Sequence, residues 1–253
     1  MINWFNFNSK DSRDVGIIVK RKNSLDIPER DLEYVSVPGR NGDLIFDNGR
    51  WKNTPVDYEC RIFSPDAVEG LNANLPMTYT RHDLSDMLYG DATYYRLFDS
   101  YDPDYFRLAS YAGGINLDEL AHVSVMDCKV SFNCKPLRYR WDGLQTITRT
   151  YNGSMSLDYI INPEKFPSKP IIRMYATTDN AQVAVSIANE NIIVNNVDGY
   201  VEYDAETQNC YKGATNMNNN CLATFEQLKP GINTVTVLTN IAKIEVVPRW
   251  CRI

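Results

Sequence analysis

The stretch Val123–Cys134, VSVMDCKVSFNC, alternates apolar and polar residues along its length. Because successive side chains of an extended chain point to opposite faces, a period of two predicts a half-buried β-strand. The residues that share its apolar face are Met126, Cys128, Val130, Phe132 and Cys134. Six residues of strand cover roughly 20 Å, so Cys128 and Cys134 are too far apart to form a disulfide with each other.

A second stretch, Pro55–Phe63 (PVDYECRIF), shows the same alternation, and places Cys60 on one face with Tyr58 and Ile62. Cysteines in such positions behave as small core hydrophobes. Cys210 and Cys221 flank an Asn-rich loop and are the one pair for which a disulfide stays an alternative. The absence of an export signal predicts synthesis in a reducing cytosol, which argues against that bond.

The remaining strand signals run to the end of the chain at about ten-residue spacing, with turn residues between them. This spacing is typical of antiparallel sandwiches or jelly rolls. We predict a short helix over Thr80–Leu88 and a hairpin turn at Asn152-Gly153. Pro136 is expected to end the strand of Cys134, which predicts two domains, 1–137 and 138–253.

The composition is that of an ordinary globular protein, with 43% hydrophobic and 23% charged residues among 253 and a net charge of −6. An acidic chain argues against a nucleic-acid binder, which needs a basic face. No apolar run approaches the roughly 18 residues of a membrane span.

Candidate chemistry is sparse. His82 and His122 are the only histidines, and no catalytic or metal-binding motif surrounds them. Asp99, Asp102 and Asp104 cluster, but the glycine and glutamate of a calcium loop are missing, which favours a turn. We therefore predict no catalytic residue, no cofactor and no metal ion.

The glycine-rich stretch Glu33–Trp51, EYVSVPGRNGDLIFDNGRW, could be a phosphate-binding loop or a backbone hairpin. A phosphate loop requires a GK[ST] ending and a following helix, and both are missing. Turn dipeptides at Pro38-Gly39, at Asn41-Gly42 and in Asp47-Asn48-Gly49 instead predict strands joined by turns. The apolar run Leu44–Phe46 has two apolar faces, so a second chain is expected to cover it.

The chain resembles the distal tail proteins of long, non-contractile-tailed bacteriophages, mainly those of Gram-positive hosts. No single motif carries the resemblance, which rests on a set of segments in the order that the family has. These segments are FNFNSKDSRDVGIIVKRK, YVSVPGRNGDLIFDNGRWKN, YYRLFDSYDPDYFRLASY, NPEKFPSKPIIRMY, GYVEYDAETQNCYK, FEQLKPGINTV and VVPRW.

The resemblance implies a mainly β protein of the virion tail tip. Residues 1–137 would be a β-sandwich-like, ring-forming domain with a short helix and a projecting β-hairpin. Residues 138–253 would be an antiparallel β-sandwich similar to galectins and carbohydrate-binding modules. The family forms a hexameric ring that joins the tail tube to the tail-associated adhesion protein, around a channel for DNA. The chain has no room for an inserted sugar-binding module, so its outer domain is expected to dock receptor-binding or baseplate proteins.

The resemblance also suggests what covers the apolar run. We predict that Leu44, Ile45 and Phe46 pack at the interface between subunits, flanked by the three residues Arg40, Arg50 and Trp51. The channel lining is expected to be net acidic, because phosphates bind Lys and Arg.

Two other functions stay open. The tryptophans could stack on sugars, which would make the second domain a module that binds cell-wall polysaccharide, although aromatic residues in strands are more often core. A hydrolase ranks last, since no catalytic motif appears.

Overall fold

The computed structural model describes residues 2–22, 27–63, 78–111, 113–114, 117–119, 125–151 and 157–253. The chain divides into two compact units. Unit 1 runs to Arg138 and includes Ile253, and unit 2 comprises Tyr139–Arg252. The sequence-based boundary was 137/138, one residue earlier. Among the described residues, no helix is long and apolar enough to cross a membrane.

Unit 1 is built on one antiparallel sheet and a separate two-stranded ribbon. Its strands are β1 (Phe5–Phe7), β2 (Lys10–Asp11), β3 (Ile17–Lys22), β4 (Arg30–Val35), β5 (Leu44–Trp51), β6 (Thr54–Phe63), β7 (Tyr95–Asp99), β8 (Tyr105–Ser110), β9 (Leu117–Glu119) and β10 (Val125–Arg140). The large sheet has the order β2-β1-β7-β8-β10-β6-β3, with β9 also paired to β10. A single bridge between Asn3 and Val19 links the segment that precedes β1 to β3.

The core of unit 1 comes from the strands whose alternation predicted it. Along β6 every second residue is buried, including Val56 and Tyr58. Directly opposite on β10, Val130 pairs with Tyr58 and Phe132 pairs with Val56. The ring of Phe132 also lies 4.8 Å from that of Phe7, centre to centre. The predicted faces of β6 and β10 are therefore confirmed.

One α-helix lies within the described part of unit 1, α1 (Thr78–Leu88). It begins two residues before the predicted Thr80 and ends at the predicted residue. Leu84, Met87 and Leu88 are its buried side chains and pack into the same core as the sheet. Their spacing of three and four residues places them on one helix face, which explains why so short a helix is stable here.

The prediction that Pro136 ends its strand is wrong, because β10 continues to Arg140. Pairing between β10 and β6 stops at Cys134, opposite Thr54. Beyond Cys134, β6 and β10 form no further strand pairs. The missing N–H of Pro136 therefore breaks no hydrogen bond to β6, which is one condition under which a strand tolerates proline.

Unit 2 is a two-sheet antiparallel sandwich. Its strands are β11 (Ile147–Thr150), β12 (Leu157–Asn162), β13 (Ile171–Ala176), β14 (Ala181–Ile187), β15 (Glu190–Val197), β16 (Tyr200–Asp204), β17 (Asn209–Lys212), β18 (Thr215–Asn216), β19 (Cys221–Ala223), β20 (Gly231–Thr239) and β21 (Ile241–Val247). The last strand of the chain, β22 (Cys251–Arg252), belongs to neither sheet of the sandwich. A six-stranded sheet has the order β11-β21-β13-β16-β17-β18, and a five-stranded sheet has the order β12-β20-β14-β15-β19.

The two sheets of unit 2 share one buried core. Met174 of β13 and Val201 of β16 enter it from the six-stranded sheet, and Val185 of β14 and Val237 of β20 enter it from the five-stranded sheet. All four side chains are fully buried. The mainly β fold class predicted from the strand spacing is therefore confirmed.

The predicted hairpin through Asn152-Gly153 is not formed. Strand β11 pairs with β21 of the six-stranded sheet, and β12 pairs with β20 of the five-stranded sheet. The chain therefore passes from one sheet to the other between them. Asn152 and Gly153 themselves, like His122 in unit 1, lie outside the described residues.

Candidate functional site

The β4–β5 ribbon, which we call the hairpin arm, is the first candidate site. Within the described residues, its two strands pair only with each other. Its loop begins with a turn in which the N–H of Arg40 donates to the carbonyl of Val37 at 3.2 Å. Gly39 has φ +79° at the third position of that turn, which suits a type II turn with Pro38 before it. The predicted Pro38-Gly39 turn is confirmed.

The hairpin arm exposes apolar side chains on both of its faces. Tyr34 lies opposite Ile45, and these side chains are 60% and 62% exposed. On the other face, Phe46 is 54% exposed opposite Glu33. A two-stranded ribbon is at best marginally stable on its own in water, and clustered exposed apolar side chains mark interaction sites. The hairpin arm is thus a surface that gains stability when another surface covers it.

The third turn predicted in this stretch, Asp47-Asn48-Gly49, is a bulge inside β5. Arg30 lies opposite Trp51 and Leu32 opposite Asp47, so β5 holds two more residues than β4 between these pairs. Gly49 supplies the positive φ of +67°, and its N–H donates to Asp47 Oδ1 at 2.9 Å. Turns and bulges both use a glycine in this conformation, so the motif Asp47-Asn48-Gly49 alone does not distinguish them.

Ion pairs hold the base of the hairpin arm. The Arg30 guanidinium pairs with Asp47 across the two strands, and Arg50 Nε donates to Asp31 Oδ2 at 2.7 Å. Each arginine lowers the pKa of the carboxyl that it contacts. These pairs are exposed to solvent, so their main effect is to fix the register of the strands.

The six residues predicted for the interface do not form one cluster. Arg40 lies in the loop, and Leu44–Phe46 follow at the start of β5. Arg50 and Trp51 lie at the other end of that strand, beyond the bulge. At about 3.3 Å per residue, the two ends are roughly 20 Å apart. The apolar triplet and the Arg50–Trp51 pair are therefore separate parts of one arm.

A buried polar cluster in unit 1 was missed by the sequence reading. Asp99 is 5% exposed and accepts hydrogen bonds from the Tyr58 hydroxyl and from Lys22 Nζ, the latter at 2.7 Å. It also accepts from the backbone N–H groups of Tyr101 and Asp102, which confirms the turn predicted here. Burial, together with the Asp99 charge, raises the pKa of Tyr58. Asp99 therefore ties three strands and a turn together.

Unit 2 has a second candidate surface, the outer face of the five-stranded sheet. We call it the uncharged face, because the side chains that the strand register places there include no charged group. Its members are Leu157, Tyr159, Ile161, Ala184, Ser186, Asn191, Ile193, Leu222, Ile232, Thr234 and Thr236. Leu157, Ile232 and Leu222 are 75%, 71% and 67% exposed. Several large, exposed apolar side chains on one uncharged sheet face are typical of an interaction site.

In contrast to the uncharged face, the outer face of the six-stranded sheet carries paired charges. Arg173 pairs with Glu202 at 2.6 Å and with Glu245 at 3.6 Å, and Lys243 pairs with Glu245 at 2.7 Å. The Lys243 hydrogen bond lowers the pKa of Glu245, and Lys243 Nζ also lies 3.8 Å from the ring centre of Tyr175. These charged groups are paired with each other, so a partner that covers this face would have to desolvate or break ion pairs.

The tryptophans offer little for stacking on sugars. Trp250 is 5% exposed in the core of unit 2, and Trp141 is half-buried. In unit 1, Trp4 packs edge-on against Phe98, with ring centres 5.7 Å apart. His82 is exposed on α1. Among the described residues, no group of three or more His, Cys, Asp or Glu side chains is placed to hold a metal ion.

No protein-family model matches the chain, and no curated protein matches it. Among solved structures, the chain matches the crystal structure of SPP1 Dit, which is described as a paradigm of the hub adsorption apparatus in Gram-positive-infecting phages. The two share 14% identity and a TM-score of 0.74, over 97% of this chain and 98% of that one. The fold is that of a phage distal tail protein.

Two structures of the phage P2 baseplate in its activated conformation, with Ca and with Sr, extend this likeness. Chains in them match at TM-scores of 0.51 and 0.50, each with 9% identity and over 97% of both chains. At such identities the likeness concerns the fold, and at that level it confirms the resemblance to distal tail proteins. The galectin-like character of unit 2 stays a prediction.

Proposed function

We propose that the protein is a structural, non-enzymatic hub of a phage tail tip. The observation that carries this proposal is the end-to-end match with the SPP1 hub protein, in which both chains are covered almost completely. A match limited to one sandwich would support no more than a common domain. Here the match covers 97% of this chain and therefore extends over both units.

In this proposal, unit 1 forms a hexameric ring through the hairpin arm. A closed ring uses heterologous contacts, in which one patch of each copy meets a different patch of the next. The hairpin arm suits that role because it exposes apolar side chains on two faces and pairs with no other described strand. Leu44, Ile45 and Phe46 are the proposed interface residues at its tip, with Arg40 beside them.

The ring would join the tail tube to the tail-associated adhesion protein and leave a channel for DNA. The chain carries a net charge of −6, so a ring of six copies is strongly acidic. An acidic channel favours passage of DNA, because phosphates would otherwise bind cationic walls. The uncharged face of unit 2 is the proposed docking surface for a receptor-binding or baseplate protein with a similarly uncharged surface. Burying this face desolvates no charged group, so binding there avoids the cost of burying a charge.

Negative-stain imaging of the purified protein, alone and mixed with the tail-associated adhesion protein of the same phage, tests this proposal. Closed six-membered rings with a central opening are expected. In the matched control, an unrelated β-sandwich protein replaces this protein in the mixture. No rings and no complex with the adhesion protein should then be seen. Single copies in both preparations, with no complex formed, would contradict the hub function.

A second candidate function, binding of cell-wall polysaccharide by unit 2, has one observation in its favour. Tyr159 is 57% exposed on the uncharged face, directly opposite the hydroxyl-bearing Thr234. Aromatic rings beside hydroxyl groups can stack on sugars. Sedimentation of the protein with purified walls tests this function, and Tyr159→Ala should abolish any binding. Equal binding by that variant would contradict a sugar site at Tyr159.

A further inference from the structure

Two thiols of unit 2 face each other across the sandwich. Cys210 lies on β17 of the six-stranded sheet, opposite the buried Tyr203, and is itself 1% exposed. Cys221 opens β19 of the five-stranded sheet, opposite the buried Val194. Because directly opposite residues share a face of a sheet, both thiols point into the space between the sheets. Cys221 packs against the core cluster that contains Cys210.

The backbone between the two cysteines is fixed in a way that keeps them together. The N–H of Met217 donates to the carbonyl of Cys210 at 2.8 Å, and Asn218 Oδ1 accepts from the N–H of Cys210 at 2.6 Å. A 3-10 turn over Asn218–Asn220 then leads directly into Cys221. The strand that carries Cys221 is therefore anchored to the strand that carries Cys210.

The two thiols differ in access and in acidity. Cys221 is half-buried and lines an open cleft of about 400 Å³, together with Gln208 and Thr224. The hydrogen bond between the two thiols lowers the pKa of Cys221 and raises that of Cys210, which burial raises further. Cys221 is thus the thiol that ionises first and the one that a reagent in the cleft meets first.

We propose that Cys210 and Cys221 are a modification site that closes to an intramolecular disulfide when the protein meets a small-molecule disulfide such as oxidised glutathione. The Cys221 thiolate attacks one sulfur of the reagent, breaks its S–S bond and expels the first glutathione thiolate. The Cys210 thiolate then attacks the Cys221 sulfur of the mixed disulfide and expels the second. Two protein thiols lose two protons and two electrons, and the reagent is reduced to two thiols.

The bond would join the two sheets of the sandwich through covalent linkage of β17 to β19. In a reducing cytosol the thiols stay reduced, and the bond forms once the protein leaves that compartment. This inference does not depend on the proposed hub function. It depends only on the register of two strand pairs and on the cleft beside Cys221.

Unit 1 supplies a matched pair of thiols for comparison. Cys60 and Cys128 lie directly opposite each other on β6 and β10 and are 1% and 7% exposed. The hydrogen bond between them raises the pKa of Cys60 and lowers that of Cys128, as in the unit 2 pair, so the two pairs differ in access and not in acidity. Both thiols belong to the core of unit 1. They are therefore expected to remain reduced under conditions that oxidise the pair in unit 2.

The test is incubation of the native, full-length protein with glutathione mixtures of increasing oxidised fraction, followed by acid quenching, alkylation and mass spectrometry. The expected product has lost two hydrogens, carries no glutathione and yields a peptide that links Cys210 to Cys221. Its thermal midpoint should rise, because the bond restricts the unfolded chain. The Cys210→Ser variant should retain glutathione on Cys221, since the resolving thiol is gone.

The double variant Cys60→Ala/Cys128→Ala is the matched control and should form the same linked peptide. Peptide mapping of the unaltered protein decides the matter even if a variant fails to fold. Stable glutathione on Cys221 of the unaltered protein would overturn the proposal. Two further results would also overturn the proposal. One is alkylation of both Cys210 and Cys221 at every glutathione ratio, and the other is a Cys60–Cys128 link with no Cys210–Cys221 link.

Discussion

The hairpin arm allows a direct test of ring assembly. Replacing Ile45 and Phe46 with Asp puts one carboxylate on each face of the arm, because the two residues point to opposite sides of β5. Neither side chain belongs to the buried core of unit 1. The double variant should therefore fold normally and lose assembly.

The magnitude follows from how much of each side chain is exposed. Full burial of an Ile or Phe side chain is worth about 1.5–3 kcal/mol. Ile45 and Phe46 are 62% and 54% exposed, so covering what remains exposed contributes about 1–2 kcal/mol for each. Losing both side chains removes about 2–4 kcal/mol from every subunit interface, and each 1.4 kcal/mol corresponds to roughly a tenfold change in affinity. Burying two carboxylates adds a further cost.

Size-exclusion chromatography with light scattering, over a series of protein concentrations, measures the effect. The variant should elute as single copies at concentrations where the unaltered protein forms rings, and circular dichroism should show the same fold. The matched control is Leu157→Asp/Ile232→Asp, which makes the same chemical change at two more exposed side chains on the uncharged face. That control should leave the ring intact.

The single variants separate the two faces of the arm. If only one face packs against the neighbouring copy, Ile45→Asp or Phe46→Asp alone will reproduce the full loss. If the double variant forms rings at the same protein concentrations as the unaltered protein, the assignment of the interface to the hairpin arm is refuted. Loss of the ring in the Leu157→Asp/Ile232→Asp control would refute it as well, since the critical surface would then lie in unit 2.

Three further predictions concern unit 1. Asp99→Asn should lower the free energy of unfolding by about 3–5 kcal/mol in urea denaturation, because Lys22 keeps a buried charge without its partner; an unchanged midpoint would contradict this. Phe132→Ala should cost about 3–5 kcal/mol by leaving a cavity among packed rings, and a loss comparable to that of a surface substitution would argue against this core. Hydrogen bonds, chiefly from Arg61, lower the pKa of Asp127 to about 2. Its stabilisation is therefore present above about pH 4 and lost as the pH falls towards 2. Asp127→Asn should remove this pH dependence from the free energy of unfolding, a change of less than about 1 kcal/mol because the site is solvated; urea denaturation of both proteins between about pH 2 and pH 5 measures it, and an unchanged pH dependence would contradict the prediction.

The sequence predicts well what depends on neighbours along the chain. The alternation in β6 and β10 predicted their buried faces, because a period of two reports directly which side of a strand is covered. The spacing of Leu84, Met87 and Leu88 similarly marks the helix, and Pro38-Gly39 marks its turn through the φ angles that these residues favour. Such signals are local, so one sequence is enough to read them.

Contacts between distant residues were not predictable in the same way. Asp99 meets Tyr58, 41 residues earlier, and Lys22, 77 residues earlier, and nothing near Asp99 marks those partners. Strands β11 and β12 are separated by a short segment with a hairpin dipeptide, yet they join opposite sheets. Pairing of strands depends on the complete set of partners that compete for each edge, which is a property of the whole unit.

The candidate sites fall between these two cases. The apolar run Leu44–Phe46 predicted an exposed strand that needs a cover, and the structure gives such a strand, while the extent of β5 and its bulge were missed. The run Tyr159–Ile161 carries the same signal, apolar residues on both faces of a strand. It was not singled out, because the uncharged face emerges only when five strands are placed side by side.

Because one outer face of unit 2 is charged and the other is not, binding at the two faces should respond differently to added salt. A partner that binds the six-stranded side must either break the ion pairs of Arg173 and Lys243 or leave water around them in the interface. Binding of a charged partner on this side is therefore weakened by added salt. Contact on the five-stranded side displaces water from side chains that bear no charge, and its strength is nearly independent of ionic strength. A salt titration of any complex that unit 2 forms therefore reveals which side is engaged, before a structure of that complex exists.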